Sequence, residues 1–467
     1  MRLSLTKKIT QSVVGIALSS ALLVSCGGGS SSGDAVADTV TGAEVVSNFR
    51  VIASAMLDDS LTTAESLKSA IEVFIAEPTE ANLDIAKARY KEARVPYQQS
   101  EILRFDAAKG HVTNGLDADG GPTSVDDWEG QVNAWPLDEA LIDYVDTTTY
   151  EGDYTAGSPN IINTTGTLMV GGDSVDVTTI SADVLVSLNE IGGAEANVAT
   201  GVHAVEFLLW GQDTNGTSAG AGNRPVSDYF TAAAQGVCTS GASNNTGYTI
   251  CQRRADYLQA AVDLLVADLT EMAADWDDNA STTQGTLAYD LLNRDDGIAR
   301  IVESMGDMAV GELASERMRV AVLFGSTEDE HDCFSDNTHV AIFNNAQGVV
   351  NAYRGSYTRT DGTTVSGASL SDLVKAQNET LDSQIQAQLD DIISRMQSIS
   401  DSAEIDGIAF DQIVGGTTQQ KALVLDAADA LAGLGGSLED SADALNITLG
   451  GIDTGTCSGS TEQSCIP

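Results

Sequence analysis

The chain has 467 residues, with 68 Asp and Glu against 23 Lys and Arg and a formal net charge of −45 at pH 7. So acidic a surface repels nucleic-acid phosphates and anionic lipid head groups, which excludes nucleic acid as a partner; it attracts cations without choosing among them. The length is enough for one large or two ordinary domains with substantial cores.

Residues 1–25 read as an export signal. Arg2, Lys7 and Lys8 give a positive start, the apolar run 13–24 is too short to span a bilayer, and "LVSC" (23–26) closes it. This order of features resembles a bacterial lipoprotein signal, which implies cleavage before Cys26 and lipidation of Cys26 as a membrane anchor. Gly27 in place of an aspartate implies the outer membrane, with the protein facing the periplasm. Residues 26–42, with "GGGSSSGD" at 27–34, are then a flexible tether.

Beyond the tether the sequence predicts a mostly α protein, two helical-bundle halves packed together with a small β-hairpin and loop insertion. Leu67, Ala70, Ile71, Phe74 and Ile75 follow a helical stripe, Pro78 ends that helix, and Thr79 can cap a second one that runs toward Phe105 with a bend at Pro96. Residues 106–190 are rich in Gly, Asp and Thr. Within them 132–145 reads as helix and "TLMVGGDSVDVTTI" (167–180) as a hairpin. The N-terminal half therefore covers 43–215 with this insertion, 216–250 is a connecting loop, 251–450 is the C-terminal half and 451–467 a tail. Helices are expected at 257–276, 298–324, 338–353, 370–399 and 419–445.

Outside the cytoplasm disulfides persist. Close spacing suggests Cys238 with Cys251, closing the connecting loop, and Cys457 with Cys465 in the tail; Cys333 is left over.

The chemistry lies in "GVHAVEFLLWGQD" (201–213). If it is helical, His203 and Glu206 are one turn apart and point at a common target, in a segment otherwise apolar on every side. A buried polar group without a partner costs roughly 2–7 kcal/mol. Imidazole with carboxylate is a ligand set for iron, zinc, manganese or copper, and argues against a calcium-only site. An internally satisfied His–Glu pair with a purely structural role is the equal alternative. A second group of donors, Glu328 and His331 in "EDEHDCFSDNTH" (328–339), looks more like a capped loop than a helix and supplies additional candidate ligands. His111 sits in a Gly-rich loop with no partner pattern. Glu312 and Glu316 read as surface or ion-pair residues beside Arg317 and Arg319. A zinc-peptidase motif of the His-x-x-Glu-His kind is incomplete, because Phe207 stands where the closing histidine belongs.

The wider wording resembles the imelysin family. "GVHAVEFLLWGQD" is similar to its Gly-x-His-x-x-Glu signature, "RVPYQQSEILRFD" (94–106) to its N-terminal helix motif, and "VNAWPLDEALIDY" (132–144) to its Trp-Pro-Leu-Asp segment. "GELASERMRVAV" and "EDEHDCFSDNTHVAIFNNAQGVVNAYRG" are similar to its C-terminal half. The resemblance implies two helical halves with the His/Glu motif near their junction, in an envelope protein associated with iron. It implies metal ligands His203, Glu206 and Glu101, with Arg104, Trp210 and Asp213 lining the site. The expected cofactor is a transition metal ion, iron first and zinc second, taken up or stored, and an iron-uptake transporter is the partner such a role calls for. The family also implies the alternative of a metal-dependent endopeptidase in which Glu206 is ligand or base. A protein- or ligand-binding module that keeps the His–Glu pair for structure is a third reading.

Overall fold

The computed structural model describes residues 40–105, 125–150, 152–241, 243–245 and 247–465. Cys26, the tether and His111 lie outside the described residues. Among those described, no helix is long and apolar enough to cross a membrane.

Local signals set the first two helices. Thr41 caps α1 (Gly42–Ala76): its hydroxyl accepts from the Glu44 N–H at 3.3 Å while Glu44 accepts from the Thr41 N–H at 2.8 Å. The chain then turns at Pro78, and Thr79 caps α2 (Glu80–Ser100). The second helix stops at Ser100, short of Phe105, and Pro96 lies inside it. Proline removes one helical hydrogen bond, but residues 96–100 are all buried and α2 packs along α11 (Thr338–Arg354), so tertiary packing keeps the last turn helical.

The segment 132–145 is not one helix. It divides into the end of α3 (Val125–Val132) and a single turn, α4 (Glu139–Ile142), because Trp135 precedes Pro136 and a residue before proline avoids helical backbone. The hairpin forms as expected from its Gly-Gly-Asp turn, with β1 (Thr167–Val170) antiparallel to β2 (Asp173–Asp176). Then follow α5 (Ala182–Leu188), α6 (Gly201–Trp210) and a second small hairpin, β3 (Cys238–Ser240) with β4 (Ser243–Asn245). Disulfides join Cys238 to Cys251 and Cys457 to Cys465, and Cys333 is free.

After the connecting loop come α7 (Thr249–Ala274), α8 (Leu287–Asn293) and α9 (Gly297–Gly306). The chain continues through a 14-residue π-helical stretch, Asp307–Val320, into α10 (Ala321–Phe324). A π-helix of that length is rare, and such turns concentrate at functional sites. Beyond α11, a third hairpin pairs β5 (Ser356–Thr358) with β6 (Thr364–Ser366). The expected helix 370–399 breaks into α12 (Leu370–Gln377) and α13 (Glu379–Glu404), because the Asn378 side chain caps the second by accepting from the Leu381 N–H. Last come α14 (Phe410–Val414) and α15 (Thr418–Ala444).

Helices α1, α2, α6 and α7 pack on one another, and α11, α13, α15 and the π stretch form a second cluster; α2 against α11 is the seam. Because α7 follows the connecting loop yet packs on α1 and α6, the first cluster draws on both sides of that loop. Burying a single Leu, Ile, Met or Phe contributes roughly 1.5–3 kcal/mol, and Met56, Leu57, Ile71, Phe74, Leu208, Leu258 and Leu434 are among many that are fully enclosed. The tail is bound to the π stretch: the Cys457 N–H donates to Ser315 Oγ at 2.7 Å and Arg319 donates to the Cys457 carbonyl at 3.0 Å.

Candidate metal centre

All ten residues of α6 are buried. Its entry is fixed by Gly201, whose φ of +77° favours glycine and whose missing Cβ would stand 2.5 Å from the Val132 carbonyl oxygen. This contact seats the end of α3 against the start of α6 and brings Asn133 beside the histidine pair.

His203 Nδ1 lies 3.0 Å from Glu206 Oε2, so the pair does share one side of the helix. With Nδ1 turned to that carboxylate, a neutral imidazole carries its proton there and a lone pair on Nε2. That Nε2 is buried and has no hydrogen-bond partner. The other Glu206 oxygen, Oε1, accepts from the Ser335 N–H at 3.0 Å and its hydroxyl at 2.5 Å. The loop between α10 and α11 therefore closes over α6, and it carries Asp332 with it. Among the described residues, His203, Glu206 and Asp332 are the three metal-capable side chains whose donor atoms all fall within 4.8 Å of one another.

Asp332 is held rigidly. Arg94 of α2 donates Nε to Oδ1 at 2.7 Å and Nη2 to Oδ2 at 3.0 Å, and His331 Nδ1 stands 2.8 Å from Oδ2. Burial works against the anion, but the Arg94 guanidinium and His331 overcome it and hold the Asp332 carboxyl well below its usual range. Burial, reinforced by the Arg317 cation, pushes His331 well below its ordinary value, so it is neutral. Asn133 completes the frame: its Nδ2 donates to Glu101 Oε1 at 2.8 Å and lies 3.2 Å from His331 Nε2, while its Oδ1 accepts from Arg94 at 2.8 Å. His331 Nε2 is thus an acceptor already in use, and its ring stands edge-on to His203 at 4.9 Å and to Trp135 at 4.4 Å. Trp135 also lines a cavity of about 500 Å³ with Pro136, Asp138, Asp153 and Tyr154.

Glu101 is not among the converging donors. Its carboxylate pairs with Arg317 at 2.6 and 2.9 Å and accepts from Asn345 at 2.7 Å, one hydrogen-bonded residue away from His331 through Asn133. Arg104 is likewise displaced from the site, since it bonds Glu129 at 2.8 Å and Glu312 at 3.1 Å. Burial, opposed by Arg104 and reinforced by Glu312, pushes Glu129 up to about 8. Trp210 stacks edge-on with Tyr90, whose hydroxyl is 3.4 Å from Asp332, so it backs the site at one remove. Asp213 lies at the outer end of α6 and binds Asn215. Glu328 lies outside the three-donor cluster.

The residues not singled out from sequence are Asp332, Arg94, Asn133 and Ser335. Each sits within or beside a segment recognisable for other reasons, and the signal available was a polar side chain embedded in an apolar or aromatic setting, as with Asn133 between Val132 and Trp135.

A metal fits this arrangement. The orphaned His203 Nε2 asks for an electrophile, the carboxylates are fixed by outer hydrogen bonds as ligating carboxylates usually are, and the nitrogen–oxygen donor set suits iron, manganese or zinc.

No curated protein matches. Among solved structures, a Parabacteroides distasonis protein named as an iron-regulated protein A precursor superposes with a TM-score of 0.55 at 16% identity, covering 87% of this chain and 97% of that one. An imelysin-like protein from Psychrobacter arcticum gives 0.52 at 12% identity, covering 89% and 100%. These likenesses establish a shared helical fold. The family model described as Imelysin matches residues 53–438, and with most of the sequence inside that match this chain belongs to the imelysin family.

Proposed function

We propose that this protein binds a transition metal, iron first, through His203, Glu206 and Asp332, and serves iron uptake or storage from a lipid anchor on Cys26 at the outer membrane. The observation that carries the reading is the buried, partnerless Nε2 of His203, on a side chain that clusters with the fixed carboxylates of Glu206 and Asp332. A bound cation would remove a desolvation cost of order 1–3 kcal/mol for that nitrogen and offset the negative charge that Arg94 alone leaves. The name given to the Parabacteroides distasonis protein supports iron over zinc.

The peptidase alternative needs a carboxylate ready to take a proton from water. Both Glu206 oxygens already accept hydrogen bonds, from Ser335 and His203, which favours a ligand over a base.

Elemental analysis of purified protein against His203→Ala is the test. About one equivalent of iron or another transition metal in the parent and its loss in the variant support the reading; equal metal content in both removes it.

A further inference from the structure

The tail that follows α15 lies along one side of the helix made by the end of α9 and the π stretch Asp307–Val320, outside the residues 53–438 that carry the family match. Small residues let it come close. A Cβ at Gly306 would stand 2.6 Å from the Ile452 side chain, and one at Gly311 would stand 3.1 Å from the Asp453 carbonyl oxygen. Further along, a Cβ on Gly455 of the tail would stand 2.5 Å from Ser315 Oγ.

Side chains of the helix also accept the backbone N–H groups of the tail. Asp453 donates to Asp307 Oδ1 at 2.6 Å, Thr456 to Glu316 Oε1 at 2.6 Å, Cys457 to Ser315 Oγ at 2.7 Å, and Gly450 to Glu303. The disulfide from Cys457 to Cys465 closes the chain at the last of these contacts. The fit depends on how the helix is wound. Gly306 and Arg319, which donates to the Cys457 carbonyl, are 13 residues apart. Over that length an α-helix makes about 3.6 turns and would leave the two more than a third of a turn out of line. The wider i→i+5 winding makes about three whole turns and keeps both on the side that the tail covers.

The opposite side of the same helix carries Arg317. It pairs with Glu101 at 2.6 Å and Glu129 at 2.9 Å, and its guanidinium lies 5.0 Å from the centre of the Trp135 ring. From Glu101 the contacts run through Asn133 to His331, which stands against Asp332. Long π stretches are rare, so one that persists is held by what packs on it. Here the tail packs on one side and the framework of the metal cluster on the other.

We propose that residues 450–457 are a strap that holds Asp307–Val320 in its π winding and so positions Arg317 behind the Glu101–Asn133–His331 chain. The strap itself stands on the tail contacts alone; its effect on the cluster rests on the metal-binding reading above.

Hydrogen exchange on the full chain, read beside calorimetric titration with Co²⁺, tests both parts. Gly455→Val drives a side chain into Ser315 and should release the tail, so that amides within 307–320 exchange at least about ten-fold faster than in the parent. Kd for Co²⁺ should rise roughly 10–100-fold, as it does when outer partners of a ligand are disturbed. Because the strap acts through Arg317, the same change made in an Arg317→Lys background should shift Kd by less than about two-fold further. A tail that stays protected in Gly455→Val overturns the close seating at Ser315 on which the strap depends. A released tail with exchange at 307–320 within about two-fold of the parent overturns the strap. A loosened helix with unchanged Kd, or an equal added loss in the Arg317→Lys background, overturns the positioning of Arg317. Circular dichroism checks folding, and Cys457→Ser/Cys465→Ser, which leaves every side chain of the helix in place, serves if Gly455→Val does not fold. A parent that takes up no Co²⁺ would overturn the metal reading instead, while the exchange rates still decide the strap.

Discussion

Arg94 grips Asp332 as a two-pronged pair, Nε to Oδ1 at 2.7 Å and Nη2 to Oδ2 at 3.0 Å, with both side chains fully enclosed. Breaking such a pair strands one charge in the interior, so Arg94→Ala should cost roughly 3–5 kcal/mol in urea unfolding. Arg94→Lys keeps the charge without the planar fork and should recover only part of that stability. Full recovery by lysine would show that the fork is dispensable.

The two histidines should separate in a metal titration. His203 offers the free lone pair, whereas His331 uses both ring nitrogens, on Asp332 and Asn133. His203→Ala should therefore abolish transition-metal binding, and His331→Gln should weaken it by roughly 10–100-fold, as loss of an outer hydrogen bond does. Complete loss in His331→Gln alone, with His203→Ala unaffected, would reverse the assignment.

Gly201 should tolerate no side chain. With φ at +77° and a Cβ position 2.5 Å from the Val132 oxygen, Gly201→Ala should lower stability by about 1–3 kcal/mol and weaken metal binding by moving Asn133. Gly433, helical within α15 and with nothing within 4 Å of its Cβ position, is the contrast: alanine there should stabilise by about 0.5–1 kcal/mol. Thermal melts of the two variants should move in opposite directions.

Stability should respond to pH through two opposed sets of groups. Asp336, at about 6, and Asp411, at about 7, hold protons in the folded chain that the unfolded chain releases near 3.8. Their stabilisation is present below that value and is lost as pH rises through 6 and 7. Asp411→Asn cannot ionise and should melt higher than the parent at pH 8, with the gain fading toward pH 4. His331 acts the other way. Its folded value lies well below 6.5, so below about 6.5 the unfolded chain takes up a proton that the folded chain refuses, and stability falls as pH falls. His331→Gln should lose that acid sensitivity; an unchanged melting profile between pH 4 and 8 in both variants would contradict these assignments.

How far the site could be read from sequence depended on distance along the chain. His203 and Glu206 are three residues apart on a segment with no polar stripe, and helical periodicity alone put them on one side. Asp332 gives no such signal, being 126 residues from Glu206 in an acidic loop whose charges look solvated. Glu101 and Arg104 illustrate a related point: a buried carboxylate and a nearby cation look alike in sequence, whether they meet a metal or, as the structure places them, Arg317 and Glu129.

Local physics in the sequence by itself determined most of the helical segments, the cap at Thr79, the Gly-Gly-Asp hairpin and the histidine–glutamate pair, because each depends on residues a few positions apart. Tertiary structure alone decided that Pro96 stays inside a helix, that α7 joins the first cluster, and that Asp332 is brought beside His203 and Glu206 while Glu101 pairs with Arg317. Those outcomes turn on which distant segments are pressed together, and on which buried charges then find a partner, and neither is encoded by spacing along the chain.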